Sequence, residues 1–283
     1  MCYTKSFLMQ LLIYCFPAGY LSQFYKFENG AQYVTNDLNS TRNQFQDLIE
    51  KYPYMAALVR DDERLHAQRL ICSVAIVASY FALSAAHCFK KYIATDTPTM
   101  YAIRGNNEFW SDGKIHLVID FRIYQSSEEL VSFHSHFRAN LAVIKVEEPF
   151  TGEFERPIRI APPGTKIKVR TTAVTTAWAA VDTTYTTRLK AYKTTISDKK
   201  ECRLFYRVIM QITVTTDMVC AYAFRDGFCF GDSGGAMVQN DTLIGISSFG
   251  RECTADHVPD IYTKIPEFSR WIHKTMDEMK TTI

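Results

Sequence analysis

Apolar residues in this chain fall in short runs separated by polar punctuation. Tyr54-Met55-Ala56-Ala57-Leu58-Val59, Leu117 to Tyr124 and Leu141 to Val146 are each about one strand long. Val169 to Val181 is rich in Thr, Val and Ala, which suits a pleated surface better than a helix. A longer apolar stretch runs from Ile71 to Ala86, but Ser73, Ser79 and Ser84 interrupt it. It also falls short of the roughly 20 residues a bilayer span requires, so it reads as buried strands. A helical period is clear only near the end, where Phe268, Trp271, Ile272, Met276 and Met279 form one stripe and Pro266 suits the first turn. Pro157, Pro162, Pro163 and Gly164 mark a boundary between two halves.

The N-terminus follows a different pattern. Lys5 precedes a mostly apolar run from Phe7 to Phe16, and Pro17-Ala18-Gly19 gives a small-residue break. Residues 1–20 are therefore expected to be a signal peptide. Residues 21–46 are largely polar and read as a flexible lead-in or pro-segment, leaving 47–283 as the folded domain. With a net charge of +2, nothing in the balance attracts nucleic acid or an anionic membrane. No cofactor is expected.

An export signal changes the meaning of the cysteines. Of eight, Cys2 and Cys15 lie in the signal segment. The remaining six, Cys72, Cys88, Cys202, Cys220, Cys229 and Cys253, are an even set in a secreted chain and favour disulfides. The absence of any Cys-x-x-Cys pair argues against a structural zinc. His134-Ser135-His136 places two imidazoles on one strand face without a nearby third ligand, so no metal is expected there. Asn39-Ser40-Thr41 and Asn240-Asp241-Thr242 are glycosylation sequons, with Asn39 and Asn240 as acceptors.

Two motifs carry chemistry. In Gly231-Asp232-Ser233-Gly234-Gly235, glycines flank a serine and let a ligand's backbone come close. In Leu83-Ser84-Ala85-Ala86-His87-Cys88, a histidine sits beside a cysteine, as a positioned general base would. Together with Cys229 ahead of the serine and Cys253 after Ser248-Phe249-Gly250, these segments resemble the trypsin/chymotrypsin family of serine proteases, over about Pro53 to Ile272. The resemblance implies an all-β fold of two six-stranded antiparallel β-barrels with a C-terminal α-helix. It implies disulfides Cys72–Cys88, Cys202–Cys220 and Cys229–Cys253. It makes His87 the general base, Ser233 the nucleophile, and the amides of Gly231 and Ser233 the oxyanion donors. Gly227, Phe249, Gly250 and Asp260 would line the substrate pocket.

Three departures from the family pattern matter. The family's third catalytic residue is an aspartate in Asp-Ile-Ala-Leu-Leu, and the matching segment here is Asn140-Leu141-Ala142-Val143-Ile144. A carboxylate only accepts a hydrogen bond, whereas a carboxamide can donate one to the imidazole and leave its proton on the nitrogen that faces serine. In serine proteases this exchange lowers turnover by about 10⁴. Activation normally exposes an Ile-Val-Gly-Gly terminus whose ammonium pairs with the aspartate before the nucleophile, here Asp232. The corresponding stretch reads Ser40-Thr41-Arg42-Asn43-Gln44-Phe45, so a zymogen-like site is expected. The pocket base falls on Gly227 and its wall on Asp260, a carboxylate that either favours a Lys or Arg side chain or fills a collapsed pocket that takes no ligand.

The sequence thus reads as a secreted, monomeric serine-protease homologue that binds a protein or peptide ligand in the inter-barrel cleft and cuts little or nothing. The alternative is a weakly active serine endopeptidase preferring basic residues.

Overall fold

The computed structural model describes residues 48–62, 67–90, 98–107, 109–124, 139–180, 187–223, 233–250 and 258–281. The chain divides into a unit over Met1–Ser40, outside those residues, and a unit over Thr41–Ile283 that contains everything below. The signal segment, the lead-in, Asn39, His134, His136, Gly227, Cys229, Gly231, Asp232 and Cys253 also lie outside the described residues.

The first half closes into a six-stranded antiparallel barrel. Its strands are β1 (Met55–Asp62), β2 (Ala67–Ala78), β3 (Phe81–Ser84), β4 (Tyr101–Arg104), β5 (Ile115–Ile123) and β6 (Ala142–Val146), in the order β1-β2-β3-β6-β5-β4. Closure needs curvature, and the ladders supply it with irregularities at Leu58/Val59, Ile76/Ala78 and Val118/Asp120. The long apolar run is two strands: β2 and β3 meet across the turn at Ser79 and Tyr80. Met55 to Val59 are buried throughout, as expected of a strand covered on both faces.

Within the proline-marked connection, β7 (Arg159–Ile160) pairs in parallel with a strand of the second barrel. That barrel comprises β8 (Thr172–Ala180), β9 (Thr187–Ile196), β10 (Met218–Ala223), β11 (Ala236–Gln239), β12 (Thr242–Phe249) and β13 (Asp260–Lys264). Its order is β11-β8-β9-β10-β13-β12, and β11–β12 pairing closes it. The Thr/Val/Ala-rich stretch is therefore a strand only from Thr172; Val169 precedes it in an exposed connection. The expected pair of six-stranded barrels is present.

The α-helices that follow the first strand are α1 (His87–Lys90), α2 (Lys199–Phe205) and α3 (Ile265–Thr281). The first two are too short to leave a periodic trace in sequence. Asp198 caps α2, its side chain accepting from the Lys200 amide at 2.7 Å, and a π-helical turn follows over Tyr206–Met210. The predicted stripe of α3 is buried at Phe268, Ile272, Met276 and Met279, with Trp271 partly covered. Lys145 of β6 donates to the Met279 carbonyl at 2.5 Å, placing a cation at the helix's electronegative end. Disulfides Cys72–Cys88 and Cys202–Cys220 form as the resemblance implies.

The first barrel holds a buried ionic contact that the sequence did not disclose. On β5, Ile115, Leu117 and Ile119 face outward while His116 points inward. His116 Nε2 lies 2.9 Å from Glu155 Oε1, and both side chains are almost fully covered. Burial by itself raises the Glu155 carboxyl. The bond to His116, the Gly152 amide at 2.6 Å and the nearby charges of His116 and Lys114 outweigh it and hold the group below its ordinary 4.5. A carboxyl lowered by folding stabilises the folded state above its unfolded pKa and loses that contribution as pH falls through the folded one. Urea unfolding should therefore show stability declining below about pH 4.5, and the decline should flatten in Glu155→Gln. That variant should also lose about 3 kcal/mol at neutral pH, because it strands a buried partner.

Candidate functional site

The site lies where the two barrels meet. β3 ends at Ser84, and the chain turns directly into α1, so His87 emerges at the rim with its ring exposed while Cys88 and Phe89 are buried behind it. The Cys72–Cys88 bridge ties this turn to β2. Asn140 precedes β6 and is fully buried. It follows Ala139, whose φ of 48° is a left-handed conformation disfavoured for alanine. The Asp217 carboxylate accepts from the Ala139 amide at 3.1 Å and holds this turn.

Every polar atom of the Asn140 carboxamide is used. Oδ1 accepts from the His87 main-chain N–H at 2.9 Å. Nδ2 donates to His87 Nδ1 at 2.8 Å and to Ser248 Oγ at 2.8 Å. The amide's orientation is dictated by its neighbours, because a main-chain N–H can only donate. Rotating the amide by a half turn would set Nδ2 against that N–H, donor against donor, and lose the bond. The oxygen must therefore face the main chain and the nitrogen must face the ring. His87 Nδ1 is then an acceptor, and in the neutral ring the proton sits on Nε2. That nitrogen lies 2.9 Å from Ser233 Oγ. The three side chains expected from sequence are thus in line, but the ring presents a proton where a general base would present a lone pair.

Ser233 is seated on the first barrel. Its carbonyl accepts from the Ser73 amide at 2.8 Å. The Ser73 carbonyl accepts from Ser84 Oγ at 2.8 Å, and Ser73 Oγ accepts from the Trp178 amide at 2.7 Å. Gly234 follows with φ of 80°, and a Cβ there would collide with the Ser73 carbonyl and Ser84 Oγ. Glycine is required at this position for both its backbone angle and the close approach.

Of the expected pocket residues, Phe249, Gly250 and Asp260 are described. Phe249 ends β12 in register with Ile261, and Asp260 begins β13 with its side chain buried. Tyr206 joins them, which the sequence reading missed. Its ring meets Phe249 edge-on at 5.6 Å, and its hydroxyl donates to the Pro259 carbonyl at 2.7 Å. Burial pushes the Tyr206 hydroxyl's pKa up, and the Asp260 charge adds to the effect. Ser248, Thr263, whose hydroxyl donates to the Asn140 carbonyl at 3.0 Å, and Asp217 were likewise missed as supports. Asn240 is exposed at the β11–β12 turn. Cys72, Cys88 and His87 lie close together, but both sulfurs are spent in the disulfide. Among the described residues no helix is long and apolar enough to cross a membrane.

Comparison with known proteins agrees with this fold. The sequence model of the Trypsin family matches residues 42–272. Trypsin epsilon of Drosophila erecta is 28% identical over 83% of this chain and 87% of its own length. Trypsin of Sarcophaga bullata is 29% identical over 87% and 93%. Among solved structures, neuropsin, a serine protease expressed in the limbic system of mouse brain, superposes with a TM-score of 0.65 at 26% identity, covering 81% of this chain and 96% of that one. The scabies mite inactivated protease paralogue S-I1 shares the fold with a TM-score of 0.66 at 21% identity, covering 81% and 97%. With its family match spanning most of the sequence, its two closed barrels and its aligned His87 and Ser233, the chain belongs to the trypsin family of serine proteases.

Proposed function

We propose that this is a secreted trypsin-family protein that binds a protein or peptide ligand in its inter-barrel cleft without cutting it. The observation that carries this reading is the Asn140 amide donating to His87 Nδ1 while its oxygen is committed to the His87 main-chain N–H. To take the Ser233 proton, the ring would need a lone pair on Nε2, and the resulting imidazolium would need an anion behind it. The amide supplies neither. The Ser40-Thr41-Arg42-Asn43 segment adds a second handicap, since it offers no apolar terminus to pair with Asp232. Two protein structures similar in fold are themselves described as inactivated protease paralogues of the scabies mite, which accords with this reading. The signal-like N-terminus, the paired cysteines and secretion as the common state of trypsins support an extracellular location.

A specific contact favours a second reading. His87 Nε2 and Ser233 Oγ remain at 2.9 Å, and a weak endopeptidase preferring basic residues would use that pair with Asp260 at the pocket wall.

Two measurements separate the readings. In ¹⁵N spectra of neutral His87, Nδ1 should show the shift of an unprotonated nitrogen and Nε2 that of a protonated one, and Asn140→Asp should exchange them. A wild-type ring protonated at Nδ1 would refute the tautomer argument. Wild-type protein, before and after trypsin treatment, should resist a fluorophosphonate at Ser233 and leave peptide and ester substrates intact. Asn140→Asp should gain labelling, yet hydrolyse peptides about 10²-fold or more below an active trypsin, the deficit of a poorly formed oxyanion site. Brisk hydrolysis by the wild type would establish the second reading.

A further inference from the structure

We infer that the cleft is a receptor for peptides ending in a free carboxylate, which the hydroxyl proton of Ser233 holds. The inference rests on the non-cutting reading above and gives its ligand a chemical class. A serine hydroxyl has one proton and two lone pairs. Because Asn140 Nδ2 donates to His87 Nδ1, the neutral ring keeps its proton on Nε2, and that proton is directed at Ser233 Oγ, 2.9 Å away. One lone pair of Ser233 is thereby occupied, and its own proton is turned away from the ring. Among the described residues Ser233 Oγ makes no other hydrogen bond, which leaves its proton to a ligand. In an operating triad the same proton points at the histidine and is not offered to a ligand.

Charge acts in the same sense. An aspartate at position 140 would place a negative charge behind the ring and oppose an anion in front of it; the amide does not. The ligand that gains most from an unspent hydroxyl donor is therefore an ionised acceptor. Hydrogen bonds to a carboxylate are roughly twice as strong as those to a neutral carbonyl. An internal peptide bond offers only the neutral kind, whereas the end of a cleaved chain offers the charged kind. The protein consequently acts after an endopeptidase, on the products that such a reaction releases.

The test uses the full secreted chain and a tetrapeptide library, with each sequence made both as free acid and as C-terminal carboxamide and binding read by fluorescence anisotropy. The best-bound sequences should prefer the acid by about tenfold, the factor equivalent to exchanging one neutral bond for a charge-assisted one. Ser233→Ala should reduce acid binding to the level of the amide. Asn140→Asp should do so as well, by turning the Ser233 proton back to the ring and restoring the opposing charge. Equal affinity of acids and amides, absence of binding by either, or a preference that survives both substitutions would overturn the inference. So would carboxamides ending in Asp or Glu that bind as well as the acids, since a side-chain carboxylate would then suffice. Mass spectrometry of the amide peptides after incubation keeps the two readings apart. Cleaved amides refute the non-cutting reading, whereas intact amides that bind as tightly as acids refute only the carboxylate receptor.

Discussion

The 2.9 Å hydrogen bond from the His87 main-chain N–H to Asn140 Oδ1 governs the chemistry of this protein. A main-chain N–H cannot exchange donor for acceptor, so it orients whatever side chain stands opposite. A carboxylate would meet it with one oxygen and still present a second oxygen to the ring. A carboxamide has a single oxygen, and once that is committed the nitrogen is what remains for the imidazole. The ring tautomer, the direction of the Ser233 proton and the character of the cleft follow in turn. One atom exchanged at position 140 alters three side chains without disturbing their alignment.

That alignment is held mostly from the second barrel. Ser248, Thr263 and Asp217 reach the Ala139–Asn140 turn from the strands of the C-terminal half and their approaches. In the opposite direction, Ser73 of the first barrel receives the Ser233 carbonyl through its amide and the Trp178 amide through its hydroxyl. The contacts cross the interface both ways, so the site is a property of the packed pair of barrels. Each polar atom of the Asn140 carboxamide is satisfied, and a satisfied buried network fixes geometry well.

Much of this is legible in the sequence alone. Asn140 could be placed because the apolar spacing of Leu141 to Val146 sets the register of β6, and His87 and Ser233 because their flanking residues are distinctive. The C-terminal stripe was equally plain. The supports were not readable, for a physical reason. Ser73, Ser248, Thr263 and Asp217 act through hydrogen bonds to residues far along the chain, and nothing in a serine's own neighbourhood reveals its distant partner. His116 and Glu155 were hidden in the same way. The strand that carries His116 faces outward with isoleucine and leucine and inward with histidine, the reverse of what alternation suggests, because the buried Glu155 carboxylate from a later connection meets the ring and makes the inversion tolerable. The start of β8 was misjudged by three residues, since Val169 has a strand-like side chain but lies in an exposed connection.

The last helix has a bearing on biosynthesis. α3 follows the final strand of the second barrel, yet it packs on β6, its Phe268 and Trp271 meet Tyr124 at 5.0 and 5.2 Å, and Lys145 closes its end. The first barrel is therefore finished by a segment synthesised after the whole of the second. Although N-terminal domains generally fold first during synthesis, here the earlier half must wait, partly uncovered, until α3 has followed the second barrel out of the ribosome. A chain interrupted just before that helix would leave the first barrel unfinished, however completely its strands had been made.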